Sequence, residues 1–252
     1  MSSSLLILFV AGLVGGALNA VAGGGSFVVF PALLFSGLSP VIANATTAAG
    51  LLPASFMSGV AYRKDFVADR LFAVLAVAST IGGALGAVVL LGTKESTFEL
   101  VLPLLLAFAS LVFTFGGSLI ARLGKLALGT GGLSVVFVVQ VLIATYGGYF
   151  GGGMGILMLA TFAFVGLTDI HRMNGIKSAL AVLINGAAVL LFAITHKVVL
   201  YPWLAVVTGG MAGGYLGAHV ARRLPAGKVR RFVIVYAWAM TAYFAWKTYV
   251  AS

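Results

Sequence analysis

The sequence predicts an all-α, polytopic helical membrane protein, and three observations predict it. Of 252 residues, 62% are hydrophobic and only 8% are charged, and the mean hydropathy is +1.16, a balance that water-soluble domains of this size do not show. The apolar residues fall in continuous runs, without the alternation of outer-membrane barrel strands. The 34 glycines follow no Gly-X-Y period, which excludes collagen. A soluble enzyme and a nucleic-acid binder are thereby excluded. With no cysteine, disulfides, thiolate nucleophiles and cysteine metal sites are absent. Three scattered histidines and five acids give no metal-ligand spacing, so no metal and no cofactor are expected.

A helix needs ~20 residues to cross ~30 Å of hydrocarbon, and ten segments follow in order. The first, 4–22, starts after three serines with no basic residue and runs straight into glycines, so no cleaved signal peptide is expected. The second, 26–38, follows Gly23-Gly24-Gly25 and is short. The third, 41–62, follows Ser39 and Pro40, an N-cap with proline at the first helical position. The fourth, 71–91, carries Gly82-xxx-Gly86 at the spacing of close helix packing. The fifth and sixth are 100–121 and 126–146. The seventh, 154–167, is short and follows a second triple glycine, Gly151-Gly152-Gly153. The eighth, 173–195, follows Thr168 or Asp169 as N-cap. The ninth, 198–218, carries Gly209-xxx-Gly213-xxx-Gly217, and the tenth is 232–250. At 1.5 Å per residue the second and seventh reach only about 20 Å.

The chain repeats itself. Gly23-Gly24-Gly25 recurs as Gly151-Gly152-Gly153, Asn44 as Asn174, Leu75-Ala76-Val77 as Leu204-Ala205-Val206, and Gly86-Ala87 as Gly217-Ala218, at offsets of 128 to 131. Two five-segment repeats, 1–122 and 123–252, are expected within one integral membrane domain. If all ten segments cross, twelve basic residues lie on one side: Arg63, Lys64, Arg70, Arg122, Lys125, Arg172, Lys177, Arg222, Arg223, Lys228, Arg230 and Arg231. Lys94, Lys197 and Lys247 lie on the other. If the short segments only dip in and return, the division is 8 against 7. The positive-inside rule favours ten crossings. Five is odd, so the repeats are inverted and both termini are non-cytoplasmic. The basic clusters read as topology signals and as contacts with anionic lipid. Trp203, Trp238, Trp246, Tyr201 and Tyr243 read as an interfacial aromatic belt.

In inverted-repeat transporters, broken helices place a substrate near the midplane. Here each glycine tip opens a helix N-terminus, at Ser26 and at Met154, whose free amides and positive dipole end attract an anion. Glycine lets the backbone bend and approach a ligand. The expected binding residues are therefore Asn19, Gly23, Gly24, Gly25, Ser26, Gln140, Gly151, Gly152, Gly153 and Met154, with Thr145 and Tyr146 near the second tip. Glycines that only pack helices are the competing reading, and it is preferred for the sets in segments four and nine. Asn44 and Thr47, like Asn174 and Lys177, are three apart on one helix face. These four, with Asp169 and Arg172, are expected in a vestibule or gate. Asp169 also serves as an ordinary cap. Lys177 either lines the vestibule or snorkels to the headgroups, and by helix rise it stands short of the midplane.

At these residues the sequence resembles the TauE/SafE sulfite exporter family. The resemblance rests on Leu18-Asn19-Ala20-Val21-Ala22-Gly23-Gly24-Gly25 with Ala43-Asn44-Ala45-Thr46. In the second half it rests on Gly147-Gly148-Tyr149-Phe150-Gly151 with Thr168-Asp169-Ile170-His171-Arg172-Met173-Asn174-Gly175-Ile176-Lys177. It implies a multi-pass carrier in a prokaryotic inner membrane for sulfite or small organosulfur anions such as sulfoacetate. The expected function is export of a small anion by alternating access, without an enzymatic activity. An anion channel, or a carrier of a non-sulfur organic anion, is the alternative. An intramembrane enzyme lacks any Ser/His/Asp or metal-ligand spacing within a segment. The expected partners are the small anion and membrane lipids, with no nucleic acid and with a homodimer left open.

Overall fold

A computed structural model describes residues 2–123, 132–221 and 226–251. Among them the chain forms ten helices and no strand: α1 Ser2–Ala22, α2 Ser26–Phe35, α3 Pro40–Ala61, α4 Arg70–Gly92, α5 Glu95–Leu123, α6 Gly132–Tyr149, α7 Met154–Phe164, α8 Ile170–Ile194, α9 Leu200–Ala221 and α10 Ala226–Tyr249. The start expected for the sixth segment, and Lys125, Arg222 and Arg223, lie outside the described residues.

Boundaries depart from the apolar runs for local reasons. α5 begins at Glu95, five residues before its apolar run, because an acid in the first turn complements the helix dipole. α2 and α7 have only 10 and 11 residues. Each is stopped by a left-handed glycine, Gly37 at φ +96° and Gly166 at φ +87°. The amides of Leu38 and Leu167 then bond back to Leu33 and Phe162, the six-to-one closure of a Schellman cap. These two endings lie 129 residues apart in sequence and share the same bonds.

Among the described residues five helices are long and apolar enough to cross a membrane: α1, α4, α5, α6 and α8. α3 is long enough, at 22 residues, but carries buried Asn44, Thr46, Thr47, Ser55 and Ser58, which lower its apolar character. The outward surface is apolar as well as the interior. Leu104, Leu142, Leu190 and Ile194 all stand at least 60% exposed, as in a helix bundle solvated by lipid.

α1 packs on α9 and α4 on α6; α3 lies against α9 and α8, α4 against α8, α5 against α10 and α7. Exchanging every helix with the one five places along carries each of these pairs into another of the set, except α5 with α7, whose counterpart α10 with α2 is a much slighter contact. Gly82 and Gly86 sit on the backbone of α6, and Gly209, Gly213 and Gly217 on that of α1. These glycines are therefore packing residues. Trp238 departs from the expected aromatic belt. It lies midway along α10 and donates from Nε1 to Thr114 on α5 at 3.0 Å.

The two ends of the bundle differ. At the basic end Tyr62 stacks on His171, Arg172 meets Asp69, and Arg63 and Lys64 share a groove with His219. At the opposite, glutamate end, Glu95 accepts from Ser39 Oγ and from the Val41 amide at 2.8 and 2.9 Å, capping α3 from another helix. Glu99 and Lys247 line a groove of about 580 Å³ there.

Candidate functional site

α1 stops because Gly23 turns to φ +76°, a conformation glycine enters without steric cost. The Gly23 amide closes on Asn19 O at 3.0 Å. A Cβ at Gly23 would stand 2.7 Å from the Cα of Gly155, so the first break lies directly against the start of α7. The second break is built alike. The amides of Phe150 and Gly151 both reach Tyr146 O, at 2.9 and 3.1 Å, and Gly151 and Gly153 adopt φ +81° and +79°. The Tyr146 hydroxyl donates to Gly152 O and ties the loop to α6. At α2 the amides of Gly24, Gly25 and Ser26, and at α7 those of Gly152, Gly153 and Gly155, take no backbone acceptor among the described residues. They are the unpaired donors that any helix start presents.

Two small cavities flank the meeting point. One, here the lysine cavity, is lined by Asn19, Gly23, Ser55, Ser58, Met154, Gly155, Met158, Lys177, Ser178 and Ala181. The other, the asparagine cavity, is lined by Asn19, Ser26, Asn44, Ala48, Leu51, Gly147, Gly148, Phe150, Gly151, Met154 and Asn185. Each measures about 10 Å³, room for about one water molecule. Asn19 and Met154 line both, so the two spaces are divided by these side chains. The lysine cavity lies toward the basic end and the asparagine cavity toward the glutamate end, following the positions of their residues along α3 and α8.

The expected residues divide between these places. Asn19 donates from Nδ2 to Ser55 Oγ at 2.9 Å. Asn44 donates to Tyr149 O at 2.7 Å, linking α3 to the second break. Asn174 accepts from Lys177 at 2.8 Å. Lys177, expected short of the midplane, reaches further: its ammonium also meets the carbonyls of Ala20 and Asn19, at 3.0 and 3.4 Å, at the end of α1. The long side chain covers the distance that helix rise alone does not.

The glycine triplets do not act as units. Gly23 and Gly151 line the cavities. Cβ atoms at Gly24 and Gly152 would instead meet the rings of Phe113 and Phe150 at 2.7 Å, and one at Gly153 would lie 3.5 Å from Ala109 O and Phe113. One at Gly25 would press on α1.

Five expected residues stand elsewhere. Gln140 donates to Ser79 at 2.8 Å and joins α6 to α4, away from either cavity, with its Oε1 unpaired. Thr47 and Thr145 bond to their own helices, at Ala43 O and Val141 O. Asp169 caps α8 by accepting from the amide of His171 at 2.9 Å, and Arg172 belongs to the closing contact at the basic end.

Sequence reading missed Ser55, Ser58, Ser178 and Asn185. A signal for two of them was present. Ser55 follows Asn44 by eleven residues and Asn185 follows Asn174 by eleven, three helical turns on one face, in corresponding positions of the two halves.

Aromatic side chains stand on either side of the two cavities. Phe30 packs edge-on against Phe150 and Phe98, at centroid distances of 5.8 and 6.5 Å, on the glutamate side. Tyr62, with 1% exposure, plugs the basic side beneath His171.

The family model for the sulfite exporter TauE/SafE matches residues 8–244. The chain belongs to the TauE/SafE family. Its relatives span the same length. A probable membrane transporter protein of Haemophilus influenzae is 26% identical over 94% of this chain and 93% of its own. One of Xylella fastidiosa strain Temecula1 is 28% identical over 95% and 94%. The probable membrane transporter protein YfcA of Escherichia coli K12 is 23% identical over 96% and 90%. No solved structure matches the chain. The TauE/SafE assignment and the apolar helices make the protein a multi-pass membrane transporter.

Proposed function

We propose that this TauE/SafE protein is a secondary transporter that exports a small oxyanion, sulfite or an organosulfur anion such as sulfoacetate, from a prokaryotic cell. The anion is held where the two glycine-broken helix starts meet, and reaches each face in turn by alternating access. One observation carries the reading. The breaks abut at Gly23 and Gly155; Gly155 lines one cavity and Ser26 the other, both with amides that take no backbone acceptor among the described residues, and beside Ser26 the buried amide of Asn185, 5% exposed, has no protein hydrogen-bond partner among the described residues. Such a donor set suits an oxyanion.

Ten crossings in two inverted halves go with this mechanism. The division of basic residues, 12 against 3, supports a cytoplasmic basic end and non-cytoplasmic termini. The exchange of neighbours between halves supplies two related packings of one site, the form in which such carriers rock. A carrier is favoured over a channel because the two cavities are separate, each holds about one water, and aromatic side chains stand on either side of them. Outward movement is downhill, since each negative charge leaving a cell gains ~2.3 kcal/mol per 100 mV of inside-negative potential. No coupled ion is required.

Purified protein in liposomes, loaded with radiolabelled sulfite, tests this. Saturable flux with counterflow is expected. Unitary conductance steps would make the protein a channel, and absence of flux for sulfite, sulfate and sulfoacetate alike would overturn the reading.

A further inference from the structure

The lysine cavity holds a basic side chain that no acid among the described residues pairs with. Lys177 is 2% exposed, and its three N–H donors go to Ala20 O, Asn19 O and Asn174 Oδ1, all neutral. The chain has five acids. Asp69 is paired with Arg172, Asp169 caps α8, Glu95 caps α3, Glu99 lines the groove at the far end, and Asp65 lies in the turn after α3. Among the described residues no carboxylate stands within ion-pair distance of Lys177. A buried ammonium in a membrane protein needs a compensating negative charge. The negative dipole end of α1 offers only a fractional one.

Hydroxyl groups add donors to the cavity wall. Ser58 and Ser178 face each other across 3.1 Å, and the two hydroxyls carry two hydrogens but use only one between them. The second has no acceptor among the described residues. The remaining lining includes Met154 and Met158, unbranched and soft side chains that can change rotamer. Enlarging a one-water space to admit an oxyanion therefore falls on side chains, with the backbone left in place.

We infer that Lys177 is the counter-charge of the transported anion, in a subsite completed by Ser58, Ser178 and Asn19. The ligand class is a small oxyanion whose charged head meets the ammonium directly, and the helix starts alone do not hold it. This rests on the transporter reading above. It also assigns the side of entry, because the charged subsite faces the basic end, while the asparagine cavity beyond Met154 is neutral. An exported anion then meets its strongest partner first and leaves through the weaker one.

Equilibrium binding of radiolabelled sulfite to the full-length protein in detergent tests the inference. Lys177→Gln, which keeps hydrogen bonding without charge, is expected to raise Kd about tenfold or more, and Lys177→Arg by only a few-fold, since charge-assisted bonds are roughly twice as strong as neutral ones. An unchanged Kd in folded Lys177→Gln overturns the inference. Should that variant not fold, the pair Ser58→Ala and Ser178→Ala leaves every bond of the ammonium intact and reads the same subsite. A several-fold loss of sulfite affinity supports the subsite, and an unchanged Kd overturns it. Wild-type protein that neither binds nor moves any of the three anions sinks the transporter reading itself, whereas wild-type binding with unaffected variants sinks the Lys177 assignment alone.

Discussion

Arg172 at the start of α8 donates to Asp69, the N-cap of α4, with Nη2 and Oδ2 2.6 Å apart. The pair joins the two halves of the chain beside the Tyr62 plug. It is the sole ion pair among the described residues, and both side chains are about one-third exposed, 31% and 35%. Water and lipid headgroups therefore screen it, and its contribution is on the order of 1 kcal/mol or less.

Asp69→Asn isolates that contribution, because asparagine keeps the bond that Asp69 accepts from the Phe72 amide while losing the charge. Thermal unfolding in detergent is expected to fall by no more than a few degrees, with a similar fall for Arg172→Gln and no further fall in the double variant. Additive losses would mean that the two residues act separately.

Gly151→Ala and Gly24→Val differ in what they obstruct. Gly151 has φ +81° and its Cβ would point toward Ser26 Oγ in the asparagine cavity, 3.8 Å away. Alanine there costs about 1 to 2 kcal/mol of backbone strain and takes up ligand space, so flux is expected to fall more steeply than stability. Valine at Gly24 collides with Phe113, which packs edge-on against Phe27. Its loss is a packing loss of about 1 to 3 kcal/mol, read as a lower unfolding temperature. Equal stability with abolished flux at Gly24 would show that position to touch the ligand.

Asn185→Ala removes an amide that has no hydrogen-bond partner among the described residues. Stability is expected to stay within about 0.5 kcal/mol of the wild type, while sulfite affinity falls several-fold as a ligand acceptor loses its partner. A destabilised variant with unchanged affinity would make Asn185 a packing residue. Gln140→Ala serves as the contrast: it breaks the bond to Ser79 and lowers stability, and leaves Kd unchanged.

Reporter fusions test the orientation. A reporter placed after the last residue is expected to read non-cytoplasmic, and one inserted at 63–70 cytoplasmic, as the positive-inside division requires. A cytoplasmic carboxy terminus would remove the ten-crossing inverted arrangement.

The helices were legible because apolar runs and glycine punctuation are local properties. Gly23 and Gly151 announced the breaks, and Ser39 and Asp169 the starts of α3 and α8. What lay beyond reach were matters of approach between distant segments. Nothing local tells that Glu95 caps α3 from another helix, or that the ring of Phe113 occupies the space beside Gly24. The reach of Lys177 depends on where α1 ends in space, which helix rise measured along α8 does not give. Gln140 resembled the site residues in type, but its helix turns it toward Ser79. Ser55 and Asn185 carried a readable signal, an eleven-residue recurrence of buried polar groups, yet a serine and an asparagine among many small residues acquire meaning only when both faces are brought together.

The neighbour pattern of α4 bears on how the protein is made. Gly82, Gly83 and Gly86 have their partners on α6 and α8, and α1 has its own on α9, all later in the chain. When the ribosome has delivered α5, the bare glycine faces of α1 and α4 still meet lipid. Of the first five helices α1, α2 and α3 already pack on one another, whereas α4 has its neighbours only in α6 and α8. Assembly is interleaving, completed only near the end of synthesis. A chain severed between α5 and α6 is accordingly expected to regain its fold when both pieces are produced in one cell, and each piece produced alone to be degraded.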